Sequence, residues 1–174
     1  MNTYSERGLK QINWPILVMF VLGFWLSATI VLDLVIMPSL LASGMMATQG
    51  FASAGYLIFG IFNRLELLCA AIVLSGFLVF RRHHTLTHFH ESLSVFLAGF
   101  LLVITLIYTY ILTPYMSGLG LQLNWFDSFN TMNPAMIPMH WSYWILEGCK
   151  LLFGFILLKW CYKDYYLVLN EEKQ

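Results

Sequence analysis

Ionisable side chains become scarce in four long stretches of this chain, residues 14–37, 56–80, 92–113 and 139–159. Each is close to the run of about 20 apolar residues that a helix needs to cross the hydrocarbon core of a bilayer. Backbone polar groups inside lipid must bond to one another, and a helix achieves this within a single segment. The expected fold class is therefore all-α: an integral membrane four-helix bundle, with residues 1–174 as one domain. The composition of 59% hydrophobic and 10% charged residues excludes a soluble globule, in which about a quarter of the residues carry charge. Nine Lys and Arg balance nine Asp and Glu, so no basic excess exists to hold a phosphate backbone, and nucleic acid is excluded as a partner. The lipid bilayer itself is the expected surrounding.

Span ends are set by the punctuating residues. Asp33 is the sole charge of the first span, and Pro38 is expected to end it. The second carries Asn63, Arg64 and Glu66 near its start and stops at Arg81 and Arg82, and the third opens after Glu91 and closes before Pro114. The fourth contains Glu147 and Lys150. Arg7 and Lys10 precede an apolar run too long for a signal peptide, with no small-residue cleavage box after it, so that run is expected to be retained. Arg7, Lys10, Arg81, Arg82, Lys159, Lys163 and Lys173 all fall on the termini or on the connection between spans two and three. By the positive-inside rule both termini are expected to be cytoplasmic. Residues 114–138, with Trp125, Phe126 and Phe129, are expected to lie along the membrane interface.

With a rise of about 1.5 Å per residue, the misplaced polar groups converge on the outer half of the membrane. Asp33 lies near the outer end of the first span, Asn63, Arg64 and Glu66 in the outer third of the second, and Tyr108, Thr109, Tyr110 and Thr113 at the outer end of the third. On the fourth, His140, Glu147 and Lys150 share one face within about 80 degrees, with Tyr143 between them. The candidate site is thus a buried polar cluster of Asp33, Asn63, Arg64, Glu66, His140, Tyr143, Glu147 and Lys150. An ionised group at mid-bilayer costs roughly 2.5–3.5 kcal/mol on insertion scales, so these residues are expected to face inward and pair. Two readings stand: a network that fixes helix packing, or a site for a ligand, ion or proton.

Other chemistry-bearing residues form weaker patterns. Met132, Met136, Met139 and His140 lie within nine residues, and thioethers select Cu(I), although Met also fills irregular apolar surface. His83, His84, His88 and His90 beside Arg81 and Arg82 form either a metal- or pH-sensitive group or a solvated loop. Bis-histidine haem is excluded, because His140 is separated from His88 and His90 by the full hydrocarbon thickness of about 30 Å. Single-histidine haem ligation, or a His and Met pair, stays open. Cys69, Cys149 and Cys161 show no CxxC or disulfide spacing and read as inert thiols.

The runs FWLSATIVLDLVIMPSLL, SAGYLIFGIFNRLELL and MHWSYWILEGCKLL resemble the transmembrane protein 205-like family of unknown function. The matching positions are Pro38, then Ala54, Gly55, Gly60 and Phe62, then His140, Tyr143, Glu147 and Lys150, whereas Ser27 and Asp33 depart from that pattern. More distantly the layout is similar to the copper resistance D family and to the haem-binding protoporphyrinogen oxidase of bacterial membranes. The resemblance implies four helices and a membrane-embedded accessory role, and supplies no reaction. The leading expectation is a non-enzymatic accessory protein of a bacterial-type inner membrane or internal membrane, a subunit or assembly factor of a larger complex. A Cu(I)-handling protein using the outer Met and His residues and a haem-binding redox protein are the alternatives.

Overall fold

The computed structural model describes residues 13–43, 51–83, 88–115 and 136–171, with side chains for all of these except 41, 51–53, 83, 88–91, 136–137, 139–140 and 164–171. Apart from Asn13 and Ser43 every described residue is helical. Helix α1 comprises Trp14–Ile30, a π-helical stretch Val31–Ile36 and a last segment Met37–Ala42. Helix α2 is Phe51–His83. Helix α3 comprises His88–Ile107, a second π-helical stretch Tyr108–Leu112 and residues 113–115, and helix α4 is Met136–Glu171.

Two expected boundaries are corrected. Pro38 does not end the first helix, and Pro114 does not end the third, because in each case a π stretch directly precedes the proline. A proline cannot donate to the carbonyl four residues back, and its ring crowds that carbonyl. Slipping to a five-residue step just before it changes which carbonyl lies opposite the ring: Met37 N–H donates to Leu32 O, and Thr113 N–H to Tyr108 O. The helix continues at the cost of a wider turn. Pro15 and Pro138 lie in the first turns of α1 and α4, where no intrahelical donor is lost. The interfacial reading of 114–138 lies outside the described residues except at 114–115 and 136–138, which are helical.

Among the described residues three helices, Trp14–Leu40, Ala54–Arg82 and Ser92–Tyr115, are long and apolar enough to cross a membrane. The fourth, α4, carries Glu147 and Lys150 in mid-helix together with several amphipathic aromatics, which lowers its hydropathy. Each helix lies against two neighbours: α1 touches α2 and α4, and α3 touches the same two. This ring sets α2 and α4 on opposite corners. Neighbours run antiparallel: Cys161 near the end of α4 lies 3.7 Å from Pro15 O at the start of α1, Val18 and Thr29 of α1 meet Gly76 and Glu66 of α2, and Phe100 and Tyr108 of α3 meet Phe153 and Glu147 of α4.

The half of the ring nearest the start of α1 is filled by apolar side chains: Val18, Leu22, Val73, Phe77, Ala98, Leu101 and Leu157 are fully buried. Large apolar groups also cover the outside, among them Phe20, Leu68, Phe96 and Leu152. A helix apolar on all sides suits a lipid solvent, where small residues rather than the hydrophobic effect set how closely helices approach. Two glycines do this for α1. A Cβ on Gly76 would overlap the Val18 side chain, and one on Gly154 would sit 2.7 Å from Leu26 Cδ2.

Overpacking of this kind costs about 1–3 kcal/mol, and the β-branched Val18 has less freedom to move aside than the end of a leucine. Gly76→Ala is therefore expected to lower the thermal midpoint in detergent more than Gly154→Ala. Equal midpoints for both variants and the parent would contradict close packing of α1 against α2 and α4.

Candidate functional site: a buried carboxylate and lysine cluster

Asp33, Glu66, Glu147 and Lys150 are only 4%, 1%, 2% and 3% exposed, and they meet in the half of the ring away from the apolar core. Lys150 of α4 reaches across the ring to α2, with its Nζ 2.6 Å from Glu66 Oε1. The same ammonium is 2.8 Å from Glu147 Oε1, one turn back on α4. Glu147 Oε1 lies within ion-pair range but off the direction of a hydrogen bond. The ammonium also stands 5.0 Å from the centre of the Tyr108 ring, a cation–π contact.

The other helices supply hydrogens to the two glutamates. From α1, Trp25 Nε1 donates to Glu66 Oε1 at 2.9 Å and Thr29 Oγ1 to the same oxygen at 3.1 Å. From α3, the Tyr108 hydroxyl lies 3.0 Å from both Glu147 Oε2 and the Tyr143 carbonyl. Farther from the apolar core, the Tyr143 hydroxyl donates to Asp33 Oδ1 at 2.8 Å, and Asn63 Nδ2 donates to Thr113 Oγ1 at 2.6 Å. Every neighbouring helix pair, and the α2–α4 diagonal, is thus tied by a polar bond in this one region.

Backbone geometry positions these groups. Asp33 lies inside the first π stretch and Tyr108 opens the second. The longer step of a π turn rotates the next residues away from the directions an α-helix would give them, which is one reason such turns recur at functional sites. Asp33 is thereby buried facing Tyr143, and Tyr108, which packs with Ile104 and Leu112, is buried facing Glu147.

Of the sequence candidates, Asp33, Asn63, Glu66, Tyr143, Glu147 and Lys150 come together. Arg64 does not: it is exposed on the outer face of α2. Glu66 takes the inward direction, and two residues turn a helix by about 200 degrees, so Arg64 is carried to the opposite face. The side chains of His140, Met136 and Met139 and all of Met132 lie outside the described residues, as do the side chains of His83, His84, His88 and His90. Cys69 and Cys161 are buried and Cys149 is half-buried.

Sequence reasoning left Trp25 and Thr29 out of the site. The signal was present, because Trp25, Thr29 and Asp33 recur every four residues and so share one face of a helix. Comparison with known families, characterised proteins and solved structures returns no match to any family model, protein or structure.

Glu66, Glu147 and Lys150 are buried together because each meets an opposite charge. Removing one member of a buried pair leaves an uncompensated charge, worth about 3–5 kcal/mol in soluble proteins. Lys150→Met alone is expected to lower the unfolding midpoint more than Lys150→Met combined with Glu66→Gln. A double variant less stable than the single one, by the full cost of Glu66→Gln, would contradict the pairing.

Proposed function

We propose that this protein is a non-enzymatic accessory component of a membrane complex, a four-helix bundle with both termini cytoplasmic, in a bacterial-type inner membrane or an internal membrane. The resemblance to the transmembrane protein 205-like family belongs to the same proposal. The orientation is supported by Arg81, Arg82, Lys159 and Lys163, all exposed at the end of the ring where α1 begins.

The observation that carries the docking role is Arg64. It stands exposed about 20 Å along α2 from Phe51, flanked on the same outer surface by the exposed apolar residues Leu57, Ile61, Leu65 and Leu68. A guanidinium stays charged under all ordinary conditions, and such a group inside a membrane requires a carboxylate or a phosphate. The described carboxylates at this depth are buried in the cluster on the other side of the helix. A transmembrane partner bearing an acidic residue supplies the missing charge, and the apolar surround supplies shape.

The test is the mass of the assembly extracted from its native membrane in mild detergent. Arg64→Gln is expected to release the chain from its complex while Arg64→Lys retains a part of it. An assembly of unchanged mass in Arg64→Gln, or a wild-type protein extracted as a single chain, would overturn the docking role.

A further inference from the structure

We propose that the buried cluster is a proton-binding site, with the bound proton shared between the carboxyl groups of Asp33 and Glu147. The first ground is charge. Three carboxyl groups, Asp33, Glu66 and Glu147, are buried with one ammonium, Lys150, and the exposed Arg64 faces away from them. Fully ionised, the cluster would hold a net charge of about −2 in a medium where even one unpaired charge is disfavoured.

The second ground is hydrogen bonding. All three donors to Glu66 converge on Oε1, and Glu66 Oε2 is buried with no donor, while Glu147 Oε1 has the ammonium beside it but no aligned hydrogen. The cluster offers more acceptor atoms than its side chains have hydrogens to fill. Excess negative charge and missing hydrogens are two independent deficits, and protons taken from water remedy both.

The geometry also selects where a proton sits. Glu66 already receives an ammonium, an indole N–H and a hydroxyl, so the Asp33 and Glu147 side of the cluster is the poorer in hydrogens. Asp33 receives the Tyr143 hydroxyl, and Tyr143 lies one turn before Glu147 on α4, which sets these two carboxyl groups as neighbours on the same side of the cluster. Two buried carboxyl groups set side by side are disfavoured as a pair of like charges, and one proton relieves both. A metal ion is the weaker occupant: the ammonium of Lys150 already bridges Glu66 and Glu147, and no group of three or more metal-binding side chains occurs among the described residues.

The groups facing this proton come from all four helices: Asp33 from α1, Glu66 with Cys69 one turn on from α2, Tyr108 from α3, and Tyr143, Glu147 and Lys150 from α4. The inference is independent of the docking role of Arg64. Infrared spectroscopy of the full-length protein in lipid nanodiscs at neutral pH tests it. The wild type is expected to show the carbonyl stretch of a protonated buried carboxyl, shifting in D2O and lost or shifted in both Asp33→Asn and Glu147→Gln. A wild-type spectrum without that band overturns the proposal and needs no variant to fold. A band that persists unshifted in either variant overturns it as well.

Discussion

A single lysine ammonium held between two glutamates, on the diagonal joining α2 to α4, is the contact on which the rest of this structure depends. The α2 and α4 helices occupy opposite corners of the ring, so the pair of Lys150 and Glu66 passes through its middle. In lipid there is no hydrophobic force to press helices together, and packing and interhelical polar bonds do that work instead. The same pair sets the demand for the neutral donors around it, since Trp25, Thr29 and Tyr108 each supply a hydrogen to one of the two glutamates. The four helices therefore meet at one level through one electrostatic object.

The two halves of the ring use different physics. Toward the start of α1, close contact comes from Gly76 and Gly154, and the interior is a dry apolar plug of Leu22, Val73, Phe77, Leu101 and Leu157. Toward the other end the helices widen into π stretches just before Pro38 and Pro114, and there the interior turns polar. The polar groups run from Asp33 and Tyr143 inward to Glu66 and stop at the apolar plug. A site so arranged is closed on one side, which suits holding a charge or a proton and does not suit conducting one across.

Much of this was legible in the sequence because the cost of burying charge is so uneven. Asp33, Glu66, Glu147 and Lys150 stood out as ionisable residues in apolar runs, and their depth along the helices came from the rise per residue alone. Among the described residues three helices proved long and apolar enough to cross a membrane, whereas α4 carries two charges in mid-helix. The prolines misled, since sequence marks where a helix loses a donor but not whether a π turn re-registers the backbone ahead of it. Arg64 misled for another reason: it lies two residues from Glu66, and depth without helical phase cannot tell an inward side chain from an outward one. Trp25 and Thr29 were hidden by type, because neither is charged and both belong in an apolar span.

The central claim is that Lys150 and Glu66 touch across the ring within the membrane. Solid-state NMR of the protein in lipid bilayers, with the Lys150 side-chain nitrogen and the Glu66 carboxyl carbon labelled, reads that contact directly as a dipolar coupling. A strong coupling consistent with the 2.6 Å separation of Nζ and Oε1 is the predicted result. Absence of that coupling in a folded, bilayer-embedded sample would contradict the account, since α2 and α4 would then lack the ion pair that joins them across the ring.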